Sequence, residues 1–315
     1  ETAEVLEKLI RNDSDWRLKY HLGLIWWSRN NTGKAKELFS ACGTTPAYAP
    51  FYAAKAALFP EEGEMDLKRA IELDKEQWRY ARLLTEYYLK QNEKEKALAV
   101  VESFYRRHPE NYIMGMLYAR TLLLNRQYAS TDALLTRLDI IPFEGATGGR
   151  QLYHEAKLMQ AVAAMKKKEY KKALAFIQAS GKWPENLGVG RPYPEDIDER
   201  LENWLAYLCY LQLGNKTNAE QALKNIIAFV PKRENTVSNY LSVNTLVTAW
   251  ALEKMNRREE GLRLLDQWIQ KDPSNKMAAW CKQVFENQPA AVPPKDILKD
   301  EGVRIIEEFI HSTRQ

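Results

Sequence analysis

A fixed interval between small residues constrains this chain more than any other feature. Gly23 and Ala35, Ala161 and Ala173, and Ala249 and Gly261 each stand twelve positions apart, and Tyr207 and Ala219 repeat the interval with an aromatic in the first slot. Small side chains let the two helices of a hairpin approach closely, so a recurring pair of them marks stacked helical hairpins. Around the first pair the chain reads Leu22-Gly23, Trp26, Ala35 and Phe39, and Leu22, Trp26 and Phe39 are expected to fill the seam.

Prolines punctuate this pattern. Pro109, Pro231 and Pro273 sit where a second helix should stop, because proline neither donates to a helix nor continues it. Trp78 to Asn111, with markers Leu84, Tyr88, Ala97, Val101 and Pro109, is one full unit of about 34 residues. Hairpins are predicted at 16–46, 48–74, 78–111, 112–145, 152–180, 197–231 and 237–273, the second shortened around Pro60-Glu61-Glu62-Gly63. The expected class is all-α, a right-handed α-α superhelix of about seven hairpins with capping helices.

One solenoid domain over 1–315 is expected. Residues 1–15 read as the remnant helix of a preceding repeat, 16–145 as N-terminal repeats, 143–151 as a glycine-rich connector, 152–275 as C-terminal repeats with an insertion at 181–195, and 276–315 as C-terminal capping helices, among them an amphipathic stretch from Ile297 to Ile310. Thr2 to Arg11 resembles a second helix without its first, and Glu1-Thr2-Ala3 carries neither an initiator Met nor a signal peptide. Both lead to the expectation that this is a piece of a longer protein.

Composition narrows the function classes. With 45% hydrophobic residues in 315, the chain can bury a substantial interior, which argues against disorder, a disulfide-knit mini-domain and a fibrous repeat. Its 46 basic and 42 acidic residues leave a net charge of +4, short of the strong positive balance of a nucleic-acid binder. No run of about 18 apolar residues is present, so no membrane span is expected. Cys42, Cys209 and Cys281 lie far apart without a Cys-x-x-Cys pair, and each is expected to pack as a small apolar residue. The compartment stays open between cytoplasm and periplasm.

No catalytic, cofactor or metal constellation is found. His21, His108, His154 and His311 include no His-Glu-x-x-His and lie far from the cysteines in sequence, with His108, beside Pro109, expected to be exposed. Gly145 to Gly149 lacks the Lys-Ser or Lys-Thr of a phosphate loop, and Gly188-Val189-Gly190 lacks a third glycine and a preceding strand, so both read as turns. The carboxylates of Glu61-Glu62 and of Glu195 to Glu199 are adjacent in runs rather than held across a cleft, and Asp196 and Asp198 read as helix-start residues. Lys166-Lys167-Lys168 with Lys171-Lys172 would attract anions, but the register makes it a solvated hairpin turn.

The spacing Leu22-Gly23, Trp26, Ala35, Phe39 resembles the tetratricopeptide repeat family, with Lys19 in place of the leading aromatic, and the resemblance extends over nearly the whole chain. It implies a non-catalytic scaffold for protein or peptide binding, whose first helices line a concave groove. In register, the groove positions are Arg17, Tyr20, Leu24 and Trp27, then Arg79, Arg82 and Glu86, then Ile113, Met116 and Arg120, followed by Glu155 and Leu158, Trp204 and Leu208, and Leu246 and Trp250. The Lys/Asn carboxylate clamp of the family's chaperone-tail receptors is not reproduced there. This mixture of basic and aromatic groups suits a peptide with acidic and apolar side chains or, alternatively, a sugar stacked on Trp27, Trp204 and Trp250. A narrower resemblance, through His21 to Trp26 and Ala47 to Tyr52, is to the C-terminal repeat region of large bacterial proteins with β-rich, carbohydrate-related upstream domains; it implies an accessory module in glycan processing. A hydrolase is the third alternative, to be revived by a pocket with convergent, strongly shifted titrating groups.

Overall fold

The computed structural model describes residues 2–10, 15–44, 46–142, 146–229, 242–287 and 291–313. Among these, every regular element is helical. In chain order they are α1 (Thr2–Ile10), α2 (Trp16–Ser28), α3 (Thr32–Ser40), α4 (Ala49–Leu58), α5 (Gly63–Leu73), α6 (Trp78–Lys90), α7 (Lys94–Tyr105), α8 (Tyr112–Leu124), α9 (Tyr128–Leu135), α10 (Gly148–Lys166), α11 (Tyr170–Ser180), α12 (Arg200–Gln212), α13 (Lys216–Ala228), α14 (Asn244–Lys254), α15 (Arg258–Lys271), α16 (Lys276–Phe285) and α17 (Glu301–Thr313). None of these helices is long and apolar enough to cross a membrane. The chain divides into two compact units, 1–125 and 126–315.

In the first unit α2 pairs with α3, α4 with α5 and α6 with α7; in the second α10 pairs with α11, α12 with α13 and α14 with α15. These are the predicted hairpins, while α8 and α9 fall at the predicted places of the fourth, one in each unit. Pro231, the start of the seventh predicted hairpin, Arg11, Phe143 to Gly145 of the connector and Pro289 lie outside the described residues. Gly148, Gly149 and Arg150, expected as connector, already form the first turn of α10.

One backbone solution ends the first helix of most hairpins. Asn30, Asn92, Lys168, Gly214 and Asn256 take φ of 61°, 61°, 61°, 71° and 62°. The residue after each donates its N–H five residues back: Asn31 to Trp26, Glu169 to Ala164, Asn215 to Tyr210 and Arg257 to Leu252 at 2.9 Å, Glu93 to Tyr88 at 2.8 Å. A left-handed residue followed by this bond satisfies carbonyls that the helix end would leave orphaned. The left-handed residue falls seven positions after the first small residue and five before the second, which reveals Thr85–Ala97 as a further copy of the interval. Threonine fits the small slot because its hydroxyl is hidden in a bond to the Ala81 carbonyl, 2.8 Å. The second hairpin departs: α5 starts at Gly63 without a left-handed residue, and Lys55 ties the turn to Glu62 (3.0 Å) and buried Asp66 (3.2 Å).

The small positions act through close approach. A Cβ on Gly23 would stand 2.8 Å from the Phe39 ring, inside van der Waals contact. Phe39 in turn stacks on Phe51 with centroids 5.5 Å apart, carrying the core from the first hairpin to the second. Trp26, expected in the seam, lies only partly buried, and its ring carries Lys34 at 4.0 Å. The three cysteines are buried free thiols, as expected. The 181–195 insertion is stapled down, since Asn186 donates to the carbonyls of Leu135 (2.9 Å) and Leu138 (2.7 Å) and accepts from Ile140 N–H (2.8 Å).

Candidate binding surfaces

Among the first helices, α6 adjoins α8 in the first unit, and α12 adjoins α10 and α14 in the second; the outward face of the first helices is where ligand-facing positions were expected. In the first unit that face is largely exposed. On α6, Arg79, Arg82 and Glu86 all reach solvent. Arg79 rests on Trp78 (4.8 Å) and binds Gln77 (3.0 Å), while Arg82 pairs with Glu86 at 2.8 Å, one helical turn away. Leu83 beside them is 40% exposed. On α8, Arg120 is exposed, Ile113 is 36% exposed and Met116 is half-buried. On α2, Arg17 is exposed over Trp16 (5.0 Å), and Trp27 is half-buried.

Tyr20, also expected on this face, is buried among Trp16, Phe39, Tyr48 and Phe51. Burial raises its hydroxyl above the ordinary tyrosine range, and the nearby Tyr48 and Tyr80 push the same way. Neither Tyr48 nor Tyr80 was expected to contribute to this face. Their signal is an aromatic one residue before α4 and a tyrosine two residues into α6, close to where α2 carries Trp16 and Tyr20.

The second unit presents its first-helix face differently, because α17 lies along it. Glu155 and Leu158 of α10, expected to face a ligand, are 1% and 0% exposed. Arg304 of α17 clasps Glu155 through two bonds, 2.6 and 2.5 Å, and donates to the Leu298 carbonyl at 2.6 Å. His154 binds Glu202 of α12 at 2.7 Å and Glu301 of α17 at 3.2 Å. Arg126 reaches Glu308 at 3.1 Å. Val303, Ile305 and Ile306 of α17 are buried in the same core as α10, α12 and α14. Gly302 meets the segment before α14 so closely that a Cβ there would stand 2.5 Å from Val243. The expected capping helix therefore covers the side of the array.

Burial disfavours the charged His154 ring, but Glu202 and Glu301 outweigh it and raise the group to about 10. Burial likewise raises Glu155, against the opposing pull of Arg304. A cleft of about 460 Å³ opens beside His154, Glu202, Asp300 and Glu301. Both imidazole nitrogens are engaged by carboxylates, so the ring is held as a cation bridging three helices and offers neither nitrogen as a base. Trp204 and Trp250, the aromatic candidates of this unit, stack on each other at 5.3 Å, with Trp204 buried and Trp250 half-buried.

Elsewhere the placements are plain. His108, expected to be exposed, is half-buried, stacked on Phe104 at 4.5 Å with Glu76 at 3.0 Å. Lys166 to Lys168, Lys171 and Lys172 are exposed about the α10–α11 turn, and Asp198 binds Arg200 N–H (3.2 Å) at the start of α12. Among the described residues no group of three or more His, Cys, Asp or Glu side chains is placed to hold a metal.

No family model and no curated protein matches the sequence. Among solved structures, a chain of Naa15/Naa10 bound to HypK-THB is 14% identical with a TM-score of 0.51, the alignment covering 99% of this chain and 48% of that one. A tetratricopeptide repeat protein from Parabacteroides merdae is 10% identical with a TM-score of 0.47, over 86% of this chain and 99% of that one. The C-terminal part of a TPR repeat-containing protein from Cytophaga hutchinsonii is 15% identical with a TM-score of 0.48, over 74% and 90%. With small residues twelve apart, a left-handed turn at a fixed place between them and helix after helix paired in hairpins, the fold of this chain is that of the tetratricopeptide repeat proteins.

Proposed function

We propose that the chain is a non-catalytic scaffold that binds a segment of another protein on the first-helix face of its first unit. One observation carries this reading: on the adjoining helices α6 and α8, Arg79 and Arg82 stand exposed beside Leu83, and Arg120 stands exposed on the helix that carries Ile113 and Met116. Guanidinium groups bind carboxylates through paired hydrogen bonds, and neighbouring apolar surface supplies area for aliphatic or aromatic anchors. The ligand this suits is a peptide with alternating acidic and apolar side chains. An assembly role agrees with the solved structure of Naa15/Naa10 bound to HypK-THB, which contains a chain of this fold.

The test is a peptide panel graded in acidic and apolar content, read by fluorescence anisotropy. Acidic-apolar peptides are expected to bind, and Arg79→Glu with Arg82→Glu to weaken them by about tenfold or more, as loss of two charge-assisted contacts requires. Lys167→Glu with Lys171→Glu, at the α10–α11 turn, is expected to change nothing. Equal loss from both pairs would reduce the effect to overall charge.

A further inference from the structure

The contact between α17 and the rest of the second unit combines charge with apolar area. Glu301, Arg304 and Glu308 recur at i, i+3 and i+7 and form one stripe along α17. Facing them in order are His154, itself braced by Glu202, then Glu155, then Arg126. Beside the stripe run Val303, Ile305 and Ile306, all fully buried. Anchors at such spacing against a receiving face are the way grooves seat amphipathic helices.

Two features make this a recognition surface rather than core alone. Ion pairs removed from water add little net stability compared with apolar packing, yet they penalise a wrong partner heavily, so their role is selection. In addition, α17 has no hairpin partner. It follows α16 after the stretch 286–300, and the polar contacts of Glu301, Arg304 and Glu308 fall on α10, on the Leu298 carbonyl and on Arg126, so its departure breaks no hairpin of the stack.

We infer that this face is a docking site for an amphipathic helix of a partner protein that repeats the charge order of α17, a carboxylate, an arginine three residues on and a carboxylate four beyond it, and that α17 is the resident occupant such a helix displaces. Tethering gives α17 an effective concentration on the order of mM, so only a partner presenting the full pattern competes. The site is separate from the exposed face of the first unit and does not rest on it.

A fluorescent peptide of residues 296–313 titrated into the full chain tests this. Binding to the unaltered chain is expected to be weak, and to tighten by about tenfold or more in the full chain carrying Gly302→Leu, because a side chain there meets Val243 and lifts α17. Adding Glu155→Arg is expected to abolish uptake of that peptide and to restore uptake of a peptide carrying Arg304→Glu. A Gly302→Leu chain that is folded by circular dichroism but takes up neither peptide overturns the inference, as does one that takes up both regardless of residue 155. Dimerisation of that variant without peptide uptake also overturns it and assigns the face to a second copy. Should Gly302→Leu not fold, Arg304→Gln, which keeps the shape of α17, decides by the same titration.

Discussion

The two units carry the same layer of first helices in two different conditions. In the first, α6 and α8 present arginines and aliphatic side chains to solvent. In the second, the equivalent layer is closed by α17, and Glu155 and Leu158 are buried where the exposed Arg79 and Arg82 would lead one to expect open positions. The difference teaches that register in a helical repeat fixes which residues face the ligand side, whereas exposure depends on what else the chain lays there. It also explains the opposite electrostatics of the two faces. Exposed Arg82–Glu86 is screened by water and contributes little. The Glu155–Arg304 pair is largely desolvated, so losing one partner strands the other in a poorly hydrated place.

The sharpest way to break the comparison is therefore at Arg304. Arg304→Ala is expected to destabilise the second unit by about 3–5 kcal/mol, the cost of leaving a buried charge unpaired. Arg82→Ala in the first unit is expected to cost less than about 1 kcal/mol. Hydrogen exchange read on peptides from α10, α17 and α6 separates the two, since local opening reports the stability of each segment.

Next in size is pH. The folded-state His154 is raised above its unfolded value, so its contribution is complete below the unfolded pKa and is lost as pH climbs through about 10. Between about pH 7 and pH 9.5 the second unit is expected to lose on the order of 3 kcal/mol, with α10 and α17 exchanging faster relative to α6. His154→Gln should abolish that slope; a slope that persists in this variant would assign it to other groups.

Smaller effects sharpen the contrast from the other side. Gly23→Ala forces a methyl against Phe39 in the first unit. Overpacking costs about 1–3 kcal/mol and the better helix propensity of alanine returns about 1, for a net loss of about 1 kcal/mol confined to α2 and α3. Lys168→Gly relieves a lysine at φ 61° in the second unit and is expected to stabilise it by about 0.5–1 kcal/mol. Asn92→Gly, at the same φ in the first unit, should gain less, because asparagine already tolerates the left-handed region. Thermal unfolding of the two variants side by side gives the order.

How much of this was legible in the sequence follows from locality. Hairpin positions were, because Gly23, Ala35, Ala161, Ala173, Ala249 and Gly261 act on a neighbour twelve residues away. The third hairpin's interval is masked in the sequence because Thr85 occupies a small slot with its hydroxyl tied to Ala81, although Asn92 at the turn marks the place. The fate of Glu155 was not legible, since its partner Arg304 lies far along the chain and only folding brings the two together. A hint was present in α17 itself, where Glu301, Arg304 and Glu308 share a face beside Val303 and Ile306. Charges set beside the apolar stripe of an amphipathic helix point to charged partners at its docking surface. Trp204 falls at a groove position by register, but its depth against Trp250 depends on how α12 and α14 sit together, which spacing alone does not determine.

The central claim, one open first-helix face and one closed by α17, is tested most directly by thiol labelling. Cys42, Cys209 and Cys281 are all buried, so the native chain gives a low background. Arg82→Cys and Leu158→Cys are introduced separately and modified with a maleimide under native conditions. The account predicts immediate labelling at position 82, and labelling at position 158 only as fast as the second unit opens, rising when Gly302→Leu lifts α17. Comparable fast rates at both positions, or a slow rate at 158 unchanged by Gly302→Leu, would contradict it.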